Sequence, residues 1–212
     1  MRAALGFRFH TGWAALVAAA RHGDQIEVLL RRRVELLPAD GSIPRFVYHT
    51  AAELDRSESA ALVKRAAAGS QKIAKAALAE IVAMLRRLDV TLESAGIPSG
   101  STQVPDDLSR ILGSHPMIHA AEGALFQKAV AAACESCGLQ IVTTKEREVF
   151  ARAADACRSD ATRFRESLDG LRKKIGPPWG ADQKTATAAA LLALQAGASS
   201  ARRSGSRGSS KD

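Results

Sequence analysis

Ala3-Ala-Leu-Gly-Phe-Arg-Phe9 and Trp13-Ala-Ala-Leu-Val-Ala-Ala-Ala20 are two apolar runs separated by His10-Thr-Gly12. A third, Gln25-Ile-Glu-Val-Leu-Leu-Arg-Arg-Arg-Val-Glu-Leu36, follows the turn signal Arg21-His-Gly-Asp24. Runs of this length between Gly-containing turns have the form of strands, and Ile26, Val28 and Leu30 alternate as a half-buried strand requires. The stretch therefore predicts an antiparallel meander over 3–9, 13–20 and 25–36. A competing reading takes Arg2, Arg8 and the run Gly12–Ala20, with its Ala-x-Ala end, as a short secretory signal. The apolar run is short for that purpose, and His10 and Thr11 interrupt its approach, so the meander is preferred.

Downstream, the period changes. Pro38, Gly41 and Pro44 break a connection over 38–48. Leu62, Ala66, Ile73, Ala77, Ile81, Leu85 and Leu88 then recur every three or four residues, which predicts an amphipathic helix over 57–88. Val90–Ala95 reads as a strand and Gly96–Val104 as a loop. A short helix is expected over 106–112, and a longer one from Pro116 to Cys137, with proline at its first position and Gly138 just past its end. Leu139–Thr144 is the fifth strand. Helical pattern over 146–175 stops at Gly176-Pro-Pro-Trp-Gly180, and an Ala-rich helix over 182–195 follows. The order β-β-β-α-β-α-β-α-α predicts an α/β fold with one mixed five-stranded sheet flanked by helices. Residues 1–196 are expected to form a single domain, and the Ser/Gly/Arg-rich stretch 197–212 a disordered basic tail.

This order is that of the ribonuclease H-like superfamily. Leu5-Gly-Phe-Arg8 followed by Thr11-Gly-Trp-Ala14 resembles the first hairpin of its RuvC-like resolvase branch, where a Gly-Ile-Asp string leads to a Thr-Gly-Trp-type second strand. Gly180-Ala-Asp-Gln-Lys-Thr-Ala-Thr-Ala-Ala-Ala190 is similar to the branch's last helix, where an aspartate opens an Ala-rich stretch. The resemblance implies metal-holding carboxylates at three places. The first falls on Arg8, whose guanidinium cannot ligate a cation. The second falls near Glu93, and the third on Asp182. With only Asp182 firmly matched, two-metal phosphodiester cleavage is not expected.

Composition narrows the classes. The formal net charge is +8, and Arg202, Arg203, Arg207 and Lys211 against Asp212 put +3 of it in the tail. A basic balance permits contact with nucleic acid. Three cysteines in 212 residues fit a reducing, cytoplasmic setting better than a disulfide framework. No stretch is long enough to span a bilayer, so no membrane role is expected. Cys134 and Cys137 end a helix and lack the partners of a zinc site, which makes them apolar fillers. Arg31-Arg-Arg33 in a strand points to alternate faces and is not one patch.

The chemistry-bearing group is Ser114-His-Pro-Met-Ile-His-Ala-Ala-Glu-Gly123. His119 and Glu122 are i, i+3 neighbours, and His115 at the cap overlies the same helix face. Two imidazoles and a carboxylate can bind a divalent metal or handle a proton. In the expected fold, His10 and Asp182 approach the same sheet edge, so His10, His119, Glu122 and Asp182 are the candidate catalytic residues. Arg8, His115, Lys145 and Glu146 are candidate binding residues, and His115, His119 and Glu122 candidate metal ligands. A polar network fixing helix to sheet is the structural alternative. Three function classes are open. One is a catalytically altered ribonuclease H-like module that binds nucleic acid. Another is a metal-dependent hydrolase using the His/Glu cluster, and the third a non-catalytic protein-interaction module. The resemblance and the charge favour the first.

Overall fold

The computed structural model describes residues 1–205, with side chains through residue 197. Of the stretch expected as a disordered tail over 197–212, residues 197–205 continue the last helix, and 206–212 lie outside the described residues. Strands β1 (Arg2–His10), β2 (Trp13–His22), β3 (Gln25–Glu35), β4 (Thr91–Ser99) and β5 (Gln140–Lys145) form one sheet in the order β3-β2-β1-β4-β5. β1, β2 and β3 pair antiparallel, and β4 joins β1, and β5 joins β4, in parallel. This is the expected mixed five-stranded sheet, and no part of 12–20 stands apart as a helix.

The period-two pattern of β1 sorts two cores. Leu5, Phe7 and Phe9 point to one face and pack with helices α2 (Arg56–Arg87) and α4 (His115–Ser136), through Leu78, Ile81, Leu85, Phe126 and Val130. Full burial of each large side chain here contributes roughly 1.5–3 kcal/mol. Alternate residues point to the other face, where α8 (Ala181–Gly205) lies over the sheet with α5 (Val149–Ala156) and α6 (Ala161–Gly170). α8 is apolar on nearly every side from Thr185 to Leu194, the character of a helix enclosed by protein. It seats directly on the strands because Gly6 and Gly96 carry no side chain. A Cβ at Gly6 would stand 1.9 Å from the Ala186 carbonyl oxygen, and one at Gly96 would stand 2.1 Å from that of Ala189.

Helix starts follow local chemistry. The Asp55 carboxylate accepts from the Glu58 N–H at 2.8 Å and opens α2. Pro116 occupies the first turn of α4, and Gly138 follows its end at φ 77°.

Three expectations are corrected. β4 does not stop at Ala95 but runs to Ser99. Gly96, read as a loop residue, is the close approach to α8, and Pro98 lies past the last β1–β4 pair at Gly96, where no donor is needed. The 38–48 connection ends early, in a short helix, α1 (Val47–Ala51), whereas α3 (Leu108–Leu112) is the short helix expected over 106–112. The helical span 146–175 is broken into a 3₁₀ turn (Glu146–Glu148), α5, α6 and α7 (Arg172–Ile175). Arg158 takes φ 55° at one break, and Asp160 caps the next helix by accepting from the Arg163 N–H at 2.9 Å.

The three arginines of β3 separate as the pleat requires. Arg31 donates to the carbonyls of Ile175, Gly176 and Pro178, Arg32 to Glu80 of α2, and Arg33 to Glu35. Trp179 is a packing residue whose indole N–H donates to the Leu168 carbonyl at 2.7 Å.

The cysteines are apolar fillers with one exception in reach. Burial pushes the Cys134 and Cys157 thiols up, while Cys137 is half-buried. A raised thiol pKa leaves little thiolate to react. One thiol per native chain is therefore expected to react quickly with a disulfide reagent near pH 8, and three after unfolding. Rapid reaction of all three in the native protein would contradict this packing.

Candidate functional site

Because β1, β4 and β5 are parallel neighbours, their carboxyl ends share one edge, where ligands of open mixed sheets gather. Arg8 and His10 leave β1 on the α8 side. Arg8 reaches past β4 and donates to Glu146, just beyond β5, at 2.6 Å, and to its neighbour's Phe9 carbonyl at 3.1 Å. His10 Nε2 meets the Asp182 carboxylate in the first turn of α8 at 2.9 Å. Both pairs are about one-third exposed, with side-chain accessibilities of 28% for Arg8, 42% for Glu146, 33% for His10 and 32% for Asp182. Water therefore screens these ion pairs and limits what each contributes to stability.

The row continues across the hairpin. The His10 ring stacks on Trp13 with centroids 4.1 Å apart, and the Arg33 guanidinium lies 3.9 Å over the same indole. Arg33 in turn bonds Glu35. Asp182, His10, Trp13, Arg33 and Glu35 thus run in contact from α8 to the edge strand. Lys145 is exposed at the end of β5.

A second group lies on the other face, where α1 meets α4. His115 and His119 sit one turn apart on α4, and their Nε2 atoms are 3.0 Å apart. His49 of α1 packs edge-on against both, with centroids 4.7 Å from His119 and 5.8 Å from His115. One ligand atom from each of the three imidazoles lies within 4.8 Å of the others. Glu122, 4% exposed, faces the start of α1. It accepts from the backbone N–H groups of Val47, Tyr48 and His49 at 3.2, 2.7 and 3.2 Å. Its Oε1 also lies 3.2 Å from His49 Nδ1. A buried carboxylate at a helix N-terminus satisfies otherwise unpaired donors and the positive end of the helix together. Burial, with the Glu122 charge nearby, also pushes the Tyr48 phenol up.

The expected single pocket is two groups. Arg8 with Glu146, and His10 with Asp182, come together at the carboxyl edge under α8. His115, His119 and Glu122 come together with His49 beneath α1. Among the described residues, no hydrogen bond or ion pair joins the two groups. The alternation of β1 sends His10 to the α8 face, while α1 packs in the opposite core through Val47 and Ala51. Glu122, expected beside His115 and His119 as a ligand, turns its oxygens to the backbone of α1, and the third imidazole near those two histidines is His49. Sequence reasoning missed it because 38–48 read as a connection and gave His49 no helix to sit on. Glu93, which the resemblance matches to the second carboxylate, stands near the amino end of β4, in a bulge, paired with Arg2.

No protein-family model and no curated protein matches the chain. Solved structures do. RuvC of Thermus thermophilus in complex with a Holliday junction substrate is similar over 91% of this chain and 92% of that one, at 14% identity and a TM-score of 0.50. Another Thermus thermophilus RuvC structure aligns over 90% and 91% at 13% identity, with a TM-score of 0.43. The chain has the RuvC-like form of the ribonuclease H-like fold.

Proposed function

We propose that this protein is a RuvC-like nucleic-acid-binding module that does not cleave by the carboxylate–metal route. The observation that carries the proposal is the pairing at the carboxyl edge. Metal-assisted phosphoryl transfer needs free carboxylate oxygens converging on divalent cations. Here Arg8 takes the position that the resemblance gives to the first metal-holding aspartate, and its fixed positive charge repels a cation. The carboxylates that approach it are engaged, Glu146 by Arg8 and Asp182 by His10. Glu93, at the opposite end of β4, cannot complete a set. The residues present do not fit a two-metal centre.

Binding is supported by charge and by fold. The chain carries a formal +8, and the similar Thermus RuvC structure holds a Holliday junction substrate. At the proposed interface Lys145 offers an exposed cation, and the part-exposed Trp13, with Arg33 over it, offers an aromatic and guanidinium surface of the kind that contacts phosphates and unstacked bases. Fluorescence anisotropy with a labelled four-way junction, a duplex and a single strand tests this. Affinity is expected to fall about 10-fold or more between roughly 50 and 200 mM salt, as counterions released by a few phosphate contacts require. Lys145→Ala should weaken all substrates alike and lower the salt slope by about one. Removing residues 199–212, with their net +3, should lower the slope further. Absence of binding to every substrate at low salt would overturn the proposal in favour of a protein-contact module.

A further inference from the structure

We infer that His49, His115 and His119 form a binding site for one divalent transition-metal ion of the zinc class. This site is separate from the carboxyl-edge row and independent of the nucleic-acid reading. Three observations converge. The first is spacing. Two nitrogens each about 2.0–2.1 Å from a tetrahedral zinc lie roughly 3.3 Å apart, and His115 and His119 already hold their Nε2 atoms 3.0 Å apart. In the absence of an ion, one ring must donate its proton to the other's lone pair; an ion accepts both lone pairs at once. The second is the third donor, since His49 comes from a different element and brings a ligand atom within 4.8 Å of the other two.

The third is the support behind that donor. His49 Nδ1 lies 3.2 Å from the Glu122 carboxylate, which is 4% exposed and anchored by three backbone N–H groups. A carboxylate behind one imidazole nitrogen fixes the tautomer and leaves Nε2 with its lone pair free, the outer-shell arrangement of metal-ligating histidines. Glu122 therefore acts as a positioning residue and not as a ligand. His115 and His119 are exposed. The fourth position therefore faces solvent, and three imidazoles with an open position are a donor set that zinc accepts. The ion would tie α1, in which the connection that starts at Pro38 ends, to the first two turns of α4.

The test uses the untagged full chain, stripped with a chelator and titrated with Co²⁺ and then Zn²⁺. Co²⁺ is expected to give one saturable visible absorption band per chain, bleached by one equivalent of Zn²⁺. His115→Gln and His119→Gln alter exposed side chains and should leave the melting temperature of the metal-free protein near wild type. Each should weaken binding at least about 10-fold, the loss that an outer-shell change alone can cause. His10→Gln should bind as wild type does. No saturable Co²⁺ band, wild-type affinity in both α4 variants, or an equal loss in His10→Gln would each overturn the assignment. Junction binding, measured on the same samples, reads the other proposal separately.

Discussion

Gly6→Ala should lower stability by about 3 kcal/mol or more, as overpacking against rigid neighbours does at its upper end. The added methyl would meet the carbonyl oxygen of Ala186 at 1.9 Å and the backbone nitrogen of Ala190 at 2.4 Å. These are helix backbone atoms with no rotamer to change, so α8 itself must lift. That would open the packing of Ala186, Ala189, Ala190 and Leu191 against the sheet. It would also carry Asp182 away from His10. Gly96→Ala should act alike, because its methyl would meet Ala189. Gly123→Ala is the counterpart: nothing lies within 4 Å of its added methyl in α4, and replacing a mid-helix glycine should stabilise by roughly 0.5–1 kcal/mol. Chemical denaturation of the three variants checks this, and equal stability of Gly6→Ala and wild type would contradict the seating of α8.

Glu122→Ala should cost about 2–4 kcal/mol, since it removes the common acceptor of three backbone donors at the start of α1. In a domain of this size that is a fall in melting temperature of roughly 5–15 °C. The loss has the character of stranded donors and not of a cavity, so Glu122→Gln, which keeps one acceptor oxygen in place, should recover part of it. Thermal unfolding of the pair distinguishes the two causes. If the glutamine were no better than the alanine, the carboxylate's hydrogen bonds would not be what holds α1.

The sheet was legible because its residues obey simple periods. Alternating or continuous apolar runs located all five strands, with β4 read short at Gly96, and Pro116 and Gly138 marked both ends of α4. The nearness of Arg8 and His10 to Glu146 followed once the parallel order was assumed, since the first two end β1 and Glu146 follows β5; the pairs themselves did not. What the sequence hid depends on burial and partners. Gly96 looks like a loop residue until α8 is seen above it. Glu122 looks like a third ligand beside His119 at i+3, and helix geometry alone cannot reveal that its oxygens are taken by a short helix about seventy residues earlier. His49 carries no local signal at all, being a lone histidine after a proline-broken connection. The break of 146–175 rests on capping at Asp160 and the left-handed Arg158, which an unbroken apolar period masks.

The role proposed for the carboxyl edge is to bind nucleic acid without cutting it. A labelled four-way junction incubated with saturating protein and Mg²⁺ or Mn²⁺, then resolved on a denaturing gel, tests it most directly. The pairing of Arg8 with Glu146 and of His10 with Asp182 predicts a shifted but intact junction, with every strand at full length. Metal-dependent strand scission that disappears in Asp182→Asn would contradict it and restore the carboxylate route.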